Sequence, residues 1–341
     1  MTFGQYIYLK ERNLYFFKML SILFLFAFSS FAVAQTEKDT SSIYIHQYAP
    51  SIEVRIVKIA AKILLPKNSI LRKLGNDRFV SEAAPIPKHF YSEFDIHIMQ
   101  VNNRNVYSIS PKVKKSGKYV LFLHGGAYIN NIFRQHWNFA SQIIRKTNCT
   151  FIIPDYPLAP ASTYEKAFAF LNTIYNYLLS KADAKEIILM GDSAGGGLAL
   201  AFAEKLRNDG MPQADQIILI SPWLDVTMSN PDIREVQEKD VSLKADNLIM
   251  AGKAWAGKSD PGIYLISPIN GSLENLPKLS VFIGTHDILY ADCRKLKTLM
   301  EQKSIPMNYY EYPGMFHDWV MLVSLKESEF AISQICSLIE N

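Results

Sequence analysis

Short apolar runs alternate with amphipathic helical segments through most of the chain, and this alternation restricts the fold more than any other feature. The runs are rich in β-branched and aromatic residues, which is typical of strands that are buried on both faces. Strands that alternate with helices form a parallel sheet with helices on both sides. We therefore predict an α/β domain with a doubly wound, mostly parallel sheet. The predicted strands are Tyr119–Leu123, Thr150–Ile153, Glu186–Met190, Gln216–Ile220, Leu279–Ile283 and Met307–Tyr310, and the predicted helices are Gln135–Lys146, Tyr164–Leu179, Gly196–Arg207, Asp292–Gln302 and Leu325–Ile339.

Two segments add to this pattern. Phe94–Ile98 alternates with period two, and a polar turn leads into Val106–Ile109, so we predict an antiparallel hairpin before the parallel strands. Residues 225–262 separate two predicted strands by far more chain than an ordinary loop needs. An insertion of that length in a compact domain usually serves a function, and we expect a small lid.

The segment Ser51–Leu74 carries isoleucines at helical spacing (Ile52, Ile56, Ile59 and Ile63), and Pro66 is expected to divide it into two helices. We expect the isoleucine stripe to pack on the rest of the domain. Basic residues surround the stripe, so the alternative is that this helix lies on an anionic membrane or lipid surface. These basic residues are Arg55, Lys58, Lys62, Lys67, Arg72 and Lys73.

The first 34 residues resemble a signal peptide. Lys10, Arg12 and Lys18 precede an uncharged, largely apolar stretch that ends in Ala32-Val33-Ala34. Small residues at those positions are what a signal peptidase requires, so we predict export and cleavage after Ala34. The alternative is an uncleaved membrane anchor, because the uncharged stretch approaches the roughly 20 residues that span a bilayer.

Charge and cysteine content exclude some classes of function. Lys and Arg number 36 against 32 Asp and Glu, and no long run of like charge suggests a nucleic-acid partner. Cys149, Cys293 and Cys336 lie far apart without CxxC spacing, which argues against a disulfide scaffold and a cysteine-based zinc site. Whether any two of the cysteines pair stays open.

The sharpest motif is Gly191-Asp192-Ser193-Ala194-Gly195, directly after a predicted strand and before a predicted helix. In this context G-x-S-x-G forms a nucleophile elbow, where small neighbours let a sharp turn expose the serine hydroxyl. The competing interpretations are an ordinary strand–helix turn or a phosphate-binding loop. Neither GxGxxG nor GK[ST] accompanies the motif, which disfavours the phosphate-binding loop. We predict Ser193 as a nucleophile.

A nucleophilic serine needs donors for the oxyanion that develops during acyl transfer. His124-Gly125-Gly126-Ala127 follows the predicted strand Tyr119–Leu123. Consecutive glycines leave backbone N–H groups uncovered, so we predict an oxyanion hole built from Gly125, Gly126 and Ala194. His124 is expected to support this loop by hydrogen bonding rather than to act as the base.

The base and its orienting acid should follow the serine, in the order Ser, Asp or Glu, His. Asp287 stands just after the predicted strand Leu279–Ile283, and His317 stands past the last predicted strand. We therefore predict Asp287 as the acid and His317 as the base. Asp292 lies in a predicted helix, and we expect Asp318 to point away from the base.

Together these motifs resemble the hormone-sensitive-lipase-type branch of the α/β-hydrolase esterases, over about residues 119–341. The resemblance implies a carboxylesterase with a Ser193, Asp287 and His317 triad, and a helical cap over residues 35–90 and about 225–262 on a hydrolase domain of residues 91–341. Ala127 stands where the family often has a third glycine, and Pro157 and Ala161 replace a family Arg and Glu. The motifs are His124–Ala127, Pro154–Pro160, Gly191–Gly196, Ser221–Trp223, Gly284–Asp287 and Phe316–Trp319.

The expected reaction is hydrolysis of small carboxylic esters of short to medium acyl chain through an acyl-enzyme. It needs neither metal nor cofactor. The first alternative is an amidase or aryl-formamidase, which uses the same groups with a different pocket. The second is a non-catalytic ligand-binding module on the same fold, which is disfavoured because all three triad residues are present.

Overall fold

A computed structural model describes residues 41–64, 69–76 and 79–341, which contain a mixed nine-stranded sheet. The expected signal peptide, residues 1–34, lies outside the described residues. The strands are β1 (Ser42–Ile45), β2 (Phe94–Val101), β3 (Arg104–Pro111), β4 (Tyr119–Leu123), β5 (Thr150–Pro154), β6 (Ile187–Asp192), β7 (Gln216–Ile220), β8 (Lys278–Gly284) and β9 (Met307–Tyr312).

The sheet has the order β1-β9-β8-β7-β6-β4-β5-β3-β2. The seven strands β1, β9, β8, β7, β6, β4 and β5 are parallel to one another. Strand β3 pairs antiparallel with β5, and β2 pairs antiparallel with β3. This confirms the α/β fold with a mostly parallel sheet and its antiparallel opening hairpin. Because β4, β6, β8 and β9 are parallel, the loops after them meet at one edge of the sheet.

Both faces of the central strands are buried, as their continuous apolar sequences predict. On β4, Leu121 belongs to one hydrophobic core and Val120 to the other, and Leu189 and Ile188 divide in the same way on β6. Successive side chains of a strand point to opposite faces, so this division places a core on each side of the sheet.

Helices cover the two faces and agree with the predicted ones to within three residues at either end. Their bounds are α1 (Ile52–Leu64), α2 (Ser69–Leu74), α3 (Phe90–Glu93), α4 (Arg134–Thr147), α5 (Tyr164–Leu179), α6 (Ser193–Asn208), α7 (Ile233–Gln237), α8 (Ala245–Ala256), α9 (Tyr290–Gln302) and α10 (Lys326–Glu340). Helix α6 begins at Ser193 rather than at Gly196, because the elbow turn is itself the first helical turn.

The expectation that the isoleucine stripe of α1 packs on the domain is wrong. Ile52, Ile56, Ile59 and Ile63 are 71%, 61%, 62% and 74% exposed. The helix packs through its opposite face, where Val54 is fully buried. The stripe therefore forms an apolar ridge on the surface.

The insertion between β7 and β8 contains α7 and α8. Trp255 of α8 stacks on Tyr128, and the two rings are parallel with centroids 4.2 Å apart. Tyr128 directly follows the His124–Ala127 loop, so the insertion packs beside that loop.

Within the described residues, all three cysteines are buried free thiols. Burial raises the pKa of Cys149 and Cys336 to about 12, which keeps both thiols protonated at neutral pH. No described helix is long and apolar enough to cross a membrane. The described part of the chain also contains no group of three or more His, Cys, Asp or Glu side chains that could hold a metal ion.

Candidate active site

Ser193 occupies a sharp turn between β6 and α6, with φ +51°. A side chain at Gly195 would overlap the carbonyl oxygen of Leu123, and one at Gly191 would overlap the backbone of Gly195. Small residues are therefore required for β4 and β6 to approach the start of α6. The strand, turn and helix around Ser193 have the arrangement that the sequence predicts for an elbow.

Ser193, His317 and Asp287 lie in a hydrogen-bonded line. The Ser193 Oγ is 2.9 Å from His317 Nε2, and His317 Nδ1 is 3.0 Å from Asp287 Oδ2. Asp287 is fully buried and also accepts the backbone N–H of Leu289 through Oδ1 at 2.9 Å. This acceptor role fixes the carboxylate so that it takes the Nδ1–H of His317 and leaves Nε2 toward the serine.

The expectation that Asp318 points away from His317 is wrong. Its Oδ2 is 3.1 Å from His317 Nε2, on the same nitrogen that faces Ser193. Asp318 has φ +53°, and this left-handed conformation turns its side chain back over the imidazole.

Burial and charge oppose each other at His317. Burial lowers the pKa of the imidazole, but the carboxylates of Asp287 and Asp318 outweigh burial and raise that pKa well above its ordinary value. At Asp318 burial has the opposite effect and raises the pKa of the carboxyl group to about 7, although the nearby His317 lowers it. The site therefore favours a proton in the region between these two side chains.

The loop His124–Ala127, here called the glycine loop, lies against the elbow, but one of its expected donors is already engaged. The backbone N–H of Gly125 donates to Asp192 Oδ1 at 2.9 Å, so it does not point at a substrate oxygen. Gly125 is needed for close approach, because a Cβ there would overlap Asp192 and lie 3.0 Å from Ser193 Cβ. Gly126 has φ +122°, a conformation that favours glycine.

Asp192 and His136 form a buried pair that the sequence analysis does not identify. His136 Nδ1 accepts the backbone N–H of Phe133 at 2.9 Å, so its Nε2 carries the proton and donates to Asp192 Oδ2 at 3.2 Å. Burial alone would raise the pKa of Asp192, but His136 and the Gly125 N–H lower it. Asp192 stands inside the serine motif, whereas no local pattern marks His136.

His124 lies beneath the glycine loop and is fully buried. Its Nδ1 donates to the carbonyl of Gly125 at 2.8 Å, and its ring stacks on Tyr156 with centroids 4.3 Å apart. Among the described residues its Nε2 has no hydrogen-bond partner. Burial lowers the pKa of His124 to about 3, so the ring is neutral and is placed as a support for the loop.

Two residues outside the motifs, Asp240 and Lys58, bind the loops that carry Asp287 and His317. Asp240, in the insertion, accepts the backbone N–H of Ile288 through Oδ2 at 2.8 Å. Lys58, on α1, donates to His286 Nδ1 at 2.6 Å and to the carbonyl of Gly314 at 3.1 Å. His286, the neighbour of Asp287, is thus engaged with α1 and does not reach Ser193.

A cavity of about 570 Å³ reaches Gly126, His317 and Asp318. Helix α1 and the insertion both contribute to its wall, which is mostly apolar. Its other lining residues are Val57, Ala60, Ala61, Leu64, Phe133, Gln135, His136, Asp192, Val241, Ser242, Leu243, Phe316, Met321 and Leu322. The volume is in the range of small-molecule sites, with a few polar groups at one end of an apolar space.

Comparisons with known proteins identify the family of this chain. Residues 120–321 match the model of a family described as the alpha/beta hydrolase fold. An esterase from Acinetobacter venetianus is 30% identical over 213 residues, 62% of this chain and 70% of that protein. An acetyl-hydrolase from Streptomyces hygroscopicus is 28% identical over 207 residues, 60% of this chain and 69% of that protein.

A solved structure gives the same result. The crystal structure of an esterase from the bacterial hormone-sensitive lipase family has a TM-score of 0.74 and 25% identity, covering 86% of this chain and 99% of that one. Fold, elbow and sequence similarity thus point to one group of enzymes. The chain belongs to the α/β-hydrolase fold family, in its hormone-sensitive-lipase-type branch of carboxylic ester hydrolases.

Proposed function

We propose that this chain is a serine carboxylesterase that cleaves small esters of short to medium acyl chain through an acyl-enzyme. The observation that carries the proposal is the continuous line from Ser193 Oγ through His317 to the buried Asp287, at 2.9 and 3.0 Å. His317, in the middle of this line, lines an apolar cavity. A hydroxyl, a base and an orienting acid at these distances meet the geometric requirement for nucleophilic catalysis.

In the proposed first step, Ser193 Oγ attacks the ester carbonyl carbon while His317 Nε2 accepts the hydroxyl proton. A C–O bond forms, and the carbonyl electron pair moves to the carbonyl oxygen. Asp287 holds the Nδ1–H and stabilises the imidazolium that results.

The oxyanion hole in this proposal uses the N–H groups of Gly126 and Ala194, not that of Gly125. Ala194 lies in the first turn of α6, where backbone N–H groups have no partner within the helix. Gly126 follows the engaged Gly125 and faces the cavity. Preorganised donors of this kind stabilise the tetrahedral intermediate, and losing one typically costs about 10²–10³ in rate.

The second half of the reaction repeats the first with water. His317 donates its Nε2 proton to the leaving alcohol as the C–O bond to that alcohol breaks. Water then attacks the acyl-enzyme, His317 accepts its proton, and the carboxylic acid leaves as Ser193 regains its own proton. Each of these steps is carried by side chains and backbone amides of the chain.

The apolar cavity wall supports an acyl group as the bound part of the substrate, and its limited volume favours short to medium chains. We also propose that α1 and the insertion together act as the cap of this site, since both line the cavity. A panel of p-nitrophenyl esters from acetate to palmitate, with Ser193→Ala as control, tests the activity. We expect a maximum below the long chains and no hydrolysis above background by the variant.

An amidase or aryl-formamidase would use the same three side chains. Matched p-nitrophenyl esters and p-nitroanilides of the same acyl group separate the two, and we expect the ester to be preferred. A non-catalytic ligand-binding module would bind the esters without turnover, so measured turnover by the wild-type chain decides against it.

We further propose that α1 contacts an anionic lipid surface. The support is the exposed stripe Ile52, Ile56, Ile59 and Ile63, with the exposed cations Arg55 and Lys62 beside it. Exposed apolar residues flanked by basic ones are typical of helices that lie in a membrane interface.

Sedimentation with anionic vesicles at low salt tests this contact. Wild-type protein should co-sediment, and Ile56→Asn with Ile59→Asn should weaken binding. Val113→Asn is the matched control, because Val113 is 79% exposed and is not part of α1. Absence of wild-type binding would remove the lipid surface from the account.

Export remains our proposal for the location, supported by the signal-like residues 1–34. N-terminal sequencing of the protein recovered from the extracytoplasmic fraction should begin at Gln35. A membrane fraction that retains the intact first residues would favour the uncleaved anchor instead.

A further inference from the structure

One nitrogen of the base faces two oxygens. His317 Nε2 is 2.9 Å from Ser193 Oγ and 3.1 Å from Asp318 Oδ2, while Nδ1 is bound to Asp287. The serine is needed for the reaction that we propose, but no step of that reaction uses Asp318. Its position on the reacting nitrogen therefore calls for a separate explanation.

The backbone places Asp318 there specifically. Its N–H is 3.3 Å from Ser221 Oγ, and its left-handed conformation directs the side chain onto the imidazole. The other carboxylate oxygen, Oδ1, is buried and has no hydrogen-bond partner among the described residues. His317 is thus the side chain to which this carboxylate is bound.

The 3.1 Å contact between His317 Nε2 and Asp318 Oδ2 is an ion pair that needs a proton on one of the two groups. A bare imidazole nitrogen and a carboxylate oxygen are both acceptors, so a 3.1 Å contact between them is favourable only when one of them carries hydrogen. While the proton is on Nε2, that nitrogen has no free electron pair to accept the proton of Ser193.

We propose that Asp318 holds the proton of the base in the resting enzyme and thereby sets the pH above which the enzyme becomes active. This inference rests on the proposed function of His317 as general base. The proton shared by His317 and Asp318 must leave to solvent before acylation, and it does so more readily as pH rises.

Other charged groups around the pair are already engaged. Asp287 binds Nδ1, and Asp240 of the insertion is bound to the backbone N–H of Ile288. Asp192 faces Asp318 from the end of β6 but is paired with His136 and Gly125. Asp318 is therefore the carboxylate that contacts Nε2, and the raised pKa of His317 agrees with this contact.

Asp318→Asn tests the proposal because asparagine keeps the shape and tolerates the left-handed backbone. Removing an opposite charge in contact with an imidazole should lower its pKa by about one unit or more. The acid limb of kcat/KM for p-nitrophenyl butyrate should then move down by about one pH unit. One unit below the wild-type midpoint, kcat/KM should rise about fivefold.

The control is Asp215→Asn, which removes a carboxylate paired with Lys118 at the opposite end of the sheet. That variant should keep the wild-type acid limb. The pKa of His317, followed by imidazole ¹⁵N shifts in Asp318→Asn and wild-type protein, gives a readout that does not depend on ester hydrolysis. A lower His317 pKa in the variant supports the proposal even if the ester is not the substrate.

An unchanged or higher His317 pKa in Asp318→Asn overturns the proposal, whatever the activity. A loss of activity at every pH without movement of the acid limb also overturns it, because that result shows a structural role alone. A wild-type chain without esterase activity contradicts the proposed function and leaves the ¹⁵N titration to decide the role of Asp318.

Discussion

The carboxylate of Asp192 accepts the backbone N–H of Gly125 at 2.9 Å and so ties the glycine loop to the residue before Ser193. The same carboxylate is held from behind by His136. The turn at Ser193 and the glycine loop opposite it are thereby fixed by one buried side chain. This contact preorganises the two sides of the site before substrate binds.

Gly125→Ala should separate these two sides. A methyl group there would overlap Asp192 and press on Ser193, so the glycine loop must move away from the elbow. We expect kcat for p-nitrophenyl butyrate to fall by about 10² or more, because the Gly126 N–H proposed for the oxyanion hole moves with the loop. Gly210→Ala is the control, since a side chain at Gly210 would have open space around it, although its φ of +66° disfavours residues other than glycine. It should lose some stability and keep its activity, and equal activity of both variants would contradict the account.

Ala61→Trp should shorten the preferred acyl chain. Ala61 is half-buried on the face of α1 that lines the cavity, so a large side chain there fills space that longer acyl groups need. The ratio of kcat/KM for octanoate over acetate esters should fall at least about tenfold, in line with about 1–3 kcal/mol per excluded methylene. Glu53→Trp, exposed on the same helix and outside the cavity, should keep the wild-type ratio. An unchanged ratio in Ala61→Trp would show that acyl chains bind elsewhere.

The gain in free energy of unfolding from Glu204→Gln, relative to wild type, should increase as pH rises. Both carboxylate oxygens of Glu204 are buried without a hydrogen-bond partner among the described residues, and burial raises its pKa to about 9. Between the unfolded pKa near 4.3 and this value the folded state holds a proton that the unfolded state has lost. The free energy of unfolding therefore falls by up to about 1.4 kcal/mol per pH unit in that range.

Glutamine cannot ionise, so this loss should be absent in the variant. Urea unfolding at pH 5 and pH 8 measures the difference between Glu204→Gln and wild type, which should grow between the two. Glu274→Gln, at an exposed surface position, should show a much smaller change. A difference that is independent of pH would mean that Glu204 is ionised in the folded protein.

The central strands could be predicted because burial on both faces leaves a continuous apolar sequence, as in Tyr119–Leu123. Strand β1 could not, because it is a four-residue edge strand that is mostly exposed and carries no such signal. The isoleucine stripe of α1 has the period of a packed helix, and periodicity alone does not say which face meets the protein.

The candidate site divides in the same way. Ser193, Asp287 and His317 are marked by local motifs and by the order in which strands end. The engagement of Gly125 by Asp192, and the turn of Asp318 onto His317, depend on side-chain directions that only tertiary packing sets. His136 is 56 residues from Asp192 in sequence, and no local motif around His136 predicts that pairing.

The most direct measurement of the central claim is intact mass after treatment with a fluorophosphonate, followed by peptide mapping. We expect one adduct per chain, located on Ser193, with hydrolysis of p-nitrophenyl butyrate lost in proportion to labelling. Ser193→Ala should take up no label and hydrolyse no ester. Full hydrolysis by Ser193→Ala, or an adduct on another residue that abolishes activity, would contradict Ser193 as the nucleophile.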